Sequence, residues 1–214
     1  MLAFLTLCVA HRIAQAQTSA SPRGDNQSWN ELQLAIPINK QVDFVLFGVV
    51  RLGRNVSRPV YELAGTGISV KVGKYLTLLP SYLYFASQPT STNHNTEHRI
   101  TLEATLRVPI RSFDVIDRNR VEFHFHSPPP NFIQYRNRMQ IEHAIRFHHL
   151  RGFVADEVFY HSVASAWIRN RVYFGVAKKV NKYLTLEIHY MRQSDSHSHP
   201  GDINALSSAF RIRL

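Results

Sequence analysis

From Ser28 to the last residue, apolar side chains recur at every second position, and the i, i+3, i+4 spacing of an amphipathic helix is almost absent. The pattern is cleanest between Arg99 and Val108. There Ile100, Leu102, Ala104, Leu106 and Val108 share one face, while Arg99, Thr101, Glu103, Thr105 and Arg107 share the other. Successive side chains of a strand point to opposite sides, so one face of this segment calls for hydrocarbon and the other for water or counter-charges. Arg136, Arg138, Gln140 and Glu142 alternate in the same way with Asn137, Met139, Ile141 and His143. Arg169, Arg171 and Tyr173 alternate with Ile168, Asn170, Val172 and Phe174. At the end of the chain Leu206, Ser208, Phe210, Ile212 and Leu214 oppose Ser207, Ala209, Arg211 and Arg213.

About eleven such segments of about ten to thirteen residues can be counted, whereas a globular strand averages about five or six and a tilted membrane-crossing strand needs about nine to eleven. Tight turns at Asn39-Lys40, Gly73-Lys74, Arg111-Ser112, His148-His149 and Asn181-Lys182 alternate with longer polar connections: Asn55 to Pro59, Gln88 to Thr96, Ser127 to Asn131, His161 to Ser165 and Ser194 to Asp202. Short turns on one side and long loops on the other are the pattern of an outer-membrane barrel. The expected fold is therefore all-β: a single antiparallel up-and-down transmembrane β-barrel of about ten to twelve strands, spanning residues 28–214. Trp29, Tyr75, Tyr160, Trp167 and Tyr183 are candidates for interfacial aromatic girdles. Pro37, Pro80 and Pro109 should mark strand ends or bulges, because proline cannot donate a ladder hydrogen bond. An odd count conflicts with both termini lying on one side. Three readings follow: an extra strand or a lumen crossing by Gln17 to Gln27, or a mis-split segment, with Phe113 to His126 the first suspect.

The first residues read Met1-Leu2-Ala3-Phe4-Leu5-Thr6-Leu7-Cys8-Val9-Ala10, followed by Ala14-Gln15-Ala16, an apolar run with an A-x-A cleavage pattern. Residues 1–16 are thus expected to be a signal peptide and 17–27 a polar N-terminal segment. Cleavage there removes Cys8, the only cysteine, and with it any disulfide or thiolate chemistry. Over the whole chain 25 Lys and Arg outnumber 15 Asp and Glu, for a formal charge of +10. These charges recur singly within apolar segments and form no basic patch, which argues against nucleic-acid binding.

Lys74-Tyr75-Leu76-Thr77-Leu78 returns as Lys182-Tyr183-Leu184-Thr185-Leu186, and Arg136-Asn137-Arg138 as Arg169-Asn170-Arg171, with no fixed period of a repeat protein. With these segments, Gln27-Ser28-Trp29-Asn30-Glu31, Asp156-Glu157-Val158-Phe159-Tyr160 and Pro200-Gly201-Asp202, the chain resembles the bacterial domain of unknown function 2490 family. That family is treated as outer-membrane barrels and is common in Bacteroidetes. The resemblance implies location and architecture; it brings no established activity and no catalytic residues.

The strongest physical lead is a set of charges predicted to face inward: Glu103, Arg107, Glu122, Arg136, Arg138, Glu142, Arg169, Arg171, Glu187 and Arg211, with Glu31. Two readings follow. The charges form a salt-bridged plug, or they line an anion-biased or ligand-binding lumen. His124 and His126 share a strand face and could hold a metal, but no third ligand is evident; Glu122 is on the same face, a polar lumen accounts for all three, and no metal and no cofactor are expected. Glu187 and His189 also share a face, yet no serine can be placed beside them, and no catalytic residues are assigned. The expected function is a narrow channel or small-ligand barrel of the outer membrane. Structural or loop-interaction barrels, and a lipid-modifying enzyme, are the alternatives. The expected partners are outer-membrane lipid and the barrel-assembly machinery.

Overall fold

The computed structural model describes residues 23–88, 95–127, 130–145, 150–198 and 200–214. Their regular elements are eleven strands: β1 (Gly24–Pro37), β2 (Val42–Gly53), β3 (Arg58–Val72), β4 (Leu76–Ser87), β5 (Asn95–Ile110), β6 (Phe113–Ser127), β7 (Phe132–Ile145), β8 (Leu150–His161), β9 (Ala166–Lys179), β10 (Leu184–Asp195) and β11 (Asp202–Arg213). The signal peptide expected at 1–16, residues 17–22 and the His148-His149 turn lie outside the described residues, as do 89–94 of the connection after Gln88. β1 begins at Gly24, so the last four residues of the expected polar segment belong to the barrel.

Each strand pairs with its chain neighbours, and β1 pairs with β11 to close the barrel. The expected antiparallel up-and-down order holds at every seam but one: β1 and β11 run parallel, in unbroken register from Gly24↔Asp202 to Ala35↔Arg213. The geometry leaves no choice. In an up-and-down chain with an odd number of strands, the first and last point the same way. The Phe113 to His126 region is one uninterrupted strand, so the odd count is genuine. The chain therefore enters β1 at the rim of the long connections and leaves β11 at the rim of the tight turns.

Local chemistry sets these turns. Asn39 Oδ1 accepts the N–H groups of Gln41 and Val42 at 2.8 and 2.9 Å, and Asn181 Oδ1 accepts those of Tyr183 and Leu184, both at 2.8 Å. Both are side-chain mimics of a backbone turn. At the opposite rim Asp25 holds the N–H groups of Arg54 and Asn55, each at 2.9 Å, and Asp195 holds those of His197 and Ser198 at 2.7 and 3.0 Å. Pro37 ends β1 and Pro109 lies one residue from the end of β5, but Pro80 sits inside β4. It makes neither an end nor a bulge. The β3–β4 register is the same on both sides of it, Gly67↔Ser81 and Val70↔Leu78, and only the pairs between them are missing, as a residue without an N–H requires.

The alternation read from the sequence becomes a barrel with its polarity reversed relative to a globular domain. Leu102 is 52% exposed, and Leu32, Leu46, Ile100, Leu106, Ile141, Phe174, Ile188 and Leu206 also stand outward and exposed. Polar pairs such as Asp156 with Asn170 and Asn30 with Ser208 interrupt this face, and one larger patch stands out. Asp117, Asn119 and Asn137 bond one another at 2.6 to 3.1 Å, and Tyr135 donates to Asn119, so the group satisfies its own polar atoms. Tyr75 and Tyr183 are exposed at the turn rim and Trp167 at the loop rim, where Tyr160 packs edge-on to it at 5.5 Å. Trp29 is not part of a girdle: it points inward and is 3% exposed, because it stands in register with Glu31 and Gln27 on the lumen face.

The parallel seam is testable through Asn30 and Ser208, which are Cα partners across it, with Ser208 Oγ donating to Asn30 Oδ1 at 2.8 Å. Partners across a strand pair lie within reach of a disulfide. Asn30→Cys with Ser208→Cys should oxidise to an internal cross-link that alters the mobility of the denatured chain. Asn30→Cys with Asn204→Cys, displaced by four residues, should not. Cross-linking of the displaced pair in preference to the first would overturn the register.

Candidate functional site

Two carboxylates, Glu122 on β6 and Glu157 on β8, are wholly buried at 0% exposure, and the lumen is organised about them. Arg136 of β7 bridges them, giving Nη1 to Glu122 Oε1 and Nη2 to Glu157 Oε1, both at 2.8 Å. Arg118 Nη2 also reaches Glu157 Oε1 at 2.8 Å, and Tyr173 donates to its Oε2 at 2.6 Å. Arg99 adds a bond to Glu122 Oε2 at 3.2 Å, while Arg120 joins Glu122, at 3.4 Å, to Glu103. A buried ion is tolerable only when its remaining lone pairs and protons are met, and here each carboxylate receives several donors. Nearer the turn rim Arg107 pairs with Asp114 at 3.0 Å and Glu142 at 2.9 Å, and Arg151 binds the same two acids.

The inward set read from the sequence divides into paired and unpaired members. Glu103, Arg107, Glu122, Arg136 and Glu142 fall within the networks above. Arg169 binds Asp195 at 2.5 Å at the loop rim, and Glu187 pairs with Arg211 at 3.3 Å. Arg138 and Arg171 instead bond the amides Gln140 and Gln193, at 2.6 and 2.8 Å. Arg99, read on the polar face beside Glu103, joins the network, and Arg51, Arg118, Arg120, Glu97 and Glu157 were missed. In Asp117-Arg118-Asn119-Arg120 and Asp156-Glu157 both faces are polar, so alternation does not tell inward from outward. The parity of Val121, Phe123 and Phe125 further along β6 was the available signal.

Stacked and paired side chains close into a circuit around the lumen, one from each of β1 to β9. Trp29 lies under the Arg51 guanidinium at 3.8 Å, Arg51 covers Tyr61 at 4.1 Å, and Tyr61 meets Phe85 edge-on at 5.3 Å. Phe85 carries Arg99 at 3.9 Å, and Arg99 binds Glu122, which binds Arg136. Arg136 lies over Phe159 at 4.6 Å; Arg171 covers Phe159 at 4.6 Å and returns to Trp29 at 4.9 Å. Guanidinium over an aromatic face is attractive and strengthens when desolvated. Trp29, Phe85, Phe159, Glu122 and Arg171 are all buried, so the belt is closely packed.

On the turn side of this belt lies a cavity of about 370 Å³ lined by eight arginines and three glutamates. It adjoins a second space of about 460 Å³ toward the turn rim, with Glu103, Thr105, Arg118, Arg138, Glu187 and Arg211 lining both. Among the described residues no carboxylate pairs with Arg51, Arg138 or Arg171, and the Nε atoms of Arg51 and Arg138 are enclosed without a hydrogen bond.

Two smaller constellations also gain members. His189 Nδ1 lies 3.1 Å from Glu187 Oε1, and its Cα partner across the β10–β11 seam is Ser207, the serine that the sequence could not place. Ser207 Oγ is enclosed and makes no hydrogen bond to the ring. For His124 and His126 the missing third group is Glu97 of β5, whose Cα partner is His126.

The family model described as protein of unknown function (DUF2490) matches residues 26–204. The chain belongs to this family. The match runs from the third residue of β1 to the start of β11, and so takes in the whole arginine–aromatic belt. No curated protein and no solved structure matches the chain.

The networks predict unequal costs for equal chemistry. Glu157→Gln leaves Arg136 and Arg118 without their shared counter-charge in a buried site and should lower unfolding stability by about 3–5 kcal/mol. Glu142→Gln loosens partners that are half exposed and should cost about 1 kcal/mol or less. Urea unfolding of the reconstituted barrel measures both, and equal losses would contradict the buried core of the network.

Proposed function

We propose that this protein is an outer-membrane β-barrel that takes a small oxyanionic ligand into a blind lumen from the turn rim. The observation that carries the reading is the trio Arg51, Arg138 and Arg171, guanidiniums with no carboxylate partner that line one cavity. Elsewhere in the lumen arginines are matched by acids. A cavity that gathers cations and leaves three without a directly paired carboxylate favours a ligand that supplies negative charge. Its volume, about 370 Å³, is within the range of small-molecule sites. The packed belt argues for a closed end at the loop side and against steady conduction.

Membrane placement is supported by the exposed apolar outer face and by strands of 12 to 16 residues. Fractionation should recover the protein, processed near Ala16, with the outer membrane. Leu102→Arg, on the outward face, should cost about 2–4 kcal/mol on folding into vesicles, whereas Thr105→Arg, which points into the cavity, should cost less. Recovery in the soluble periplasm, or equal costs for the two, would count against the placement.

The ligand is tested by thermal unfolding and calorimetric titration with inorganic phosphate and with a small dicarboxylate. Either should raise the melting temperature of the wild-type barrel, and Arg51→Gln or Arg138→Gln should abolish the shift. Planar-bilayer recording should give no steady conductance. An unchanged shift in both variants would remove the arginine cavity from the account, and a stable open pore would remove the blind lumen.

A further inference from the structure

On the loop side of the belt, Glu97, His124 and His126 bring a carboxylate and two imidazoles together, with one ligand atom of each lying within 4.8 Å of the others. We propose that they form a binding site for a divalent transition metal of the zinc type. The inference depends neither on the membrane placement nor on the anion cavity.

The strands supply the convergence. Glu97 on β5 and His126 on β6 are Cα partners, and His124 lies two residues back on the same face of β6. His124 is 3% exposed, while His126 stands toward the rim and is partly accessible. His124 Nε2 lies 3.2 Å from Glu122 Oε2 in hydrogen-bond geometry. An ionised carboxylate can only accept, so Nε2 carries the proton. The other ring nitrogen, Nδ1, faces Glu97 Oε1 at 2.8 Å. His126 Nε2 faces Glu97 Oε2 at 3.4 Å. Both nitrogens are enclosed and neither is aligned for a hydrogen bond. The Glu97 carboxylate and these two nitrogens converge on one small space, which a shared cation would fill.

The surroundings also fit. A metal-bound histidine commonly gives its other N–H to a carboxylate, which fixes the ring and raises its basicity, and Glu122 stands in that place. Phe132 stacks on both imidazoles, with centroids 4.1 Å from His124 and 5.1 Å from His126, so the rings are oriented by packing. Arg99 occupies Glu97 Oε1 at 2.6 Å and leaves Oε2 as the oxygen directed at His126. Two imidazoles and one carboxylate are a ligand set that zinc accepts with a fourth position left for water or a further ligand.

The test uses the full-length processed chain, refolded in detergent, stripped with a chelator and titrated with Co²⁺ and then Zn²⁺. Co²⁺ should produce the visible d–d absorption of a low-coordinate site at about one equivalent, and Zn²⁺ should displace it. His126→Ala and, separately, Glu97→Gln should weaken binding by about tenfold or more, whereas His143→Ala at the opposite rim should leave it unchanged. Unheated electrophoretic mobility shows that each variant is folded, and His126→Gln, close in size, serves where the alanine variant is not. Absence of saturable Co²⁺ and Zn²⁺ binding overturns the site. So does wild-type affinity in folded variants at both positions, which would place the metal on other histidines.

Discussion

An ionised side chain shut inside a barrel cannot fall back on bulk water, and this interior is arranged to meet that demand at Glu122 and Glu157. Their burial requires Arg136 between them, and Arg136 in turn requires strands β6, β7 and β8 in a single register. Arg99 and Arg118 extend the pairing around the wall. Because the arginine donors are planar forks on long stems, guanidiniums that bind the acids, Arg99 and Arg136, also cover neighbouring rings. The rings serve both kinds of arginine: Phe85 and Phe159 lie under Arg99 and Arg136, which the acids also bind, while Trp29 and Tyr61 lie under Arg51, which no acid binds among the described residues.

Seen this way, belt, cavity and rim site are three states of one electrostatic problem. Within the belt, cations are balanced by carboxylates and π faces. On the turn side, arginines exceed acids and the excess surrounds open space. On the loop side Glu97 and Glu122, both bound by Arg99, also meet the imidazoles of His124 and His126. Glu122 belongs to both the belt and the rim cluster, so whatever occupies the histidine site is in electrical contact with Arg136 and the lumen beyond.

The sequence made the strand class, the faces and the two kinds of connection legible, since period-two alternation and turn chemistry are local properties. The long stretch Arg99 to Val108 could be read residue by residue because its faces differ in polarity. Asp117 to Arg120 could not, since the outward Asp117 and Asn119 are polar too and form a cluster of their own. The partner relations escaped for a different reason. Glu97 is Cα partner to His126, and Ser207 to His189, through pairing between strands, and register across a seam is absent from any single strand's pattern. Trp29 misled because a tryptophan near a strand end suits an interface equally well, and only its parity with Gln27 and Glu31 turns it inward.

The parallel seam bears on how the barrel comes together. Ten seams join strands that follow one another in the chain, and a turn or loop sets their alignment; the eleventh joins residues 178 apart and has no connection to set it. Until it forms, β1 and β11 are free edges of a curled sheet, each with unsatisfied backbone groups. What aligns them is a series of polar rungs on both faces: Asn204 to Asn26 at 3.3 Å, Ser208 to Asn30 at 2.8 Å, Arg211 to Gln33 at 3.1 Å. A slip of one residue would turn Asn30 and Ser208 to opposite sides and leave their rung unmade. Alignment at this seam is thus written in the side chains of the two edges themselves, where every other seam has a turn or loop to set it.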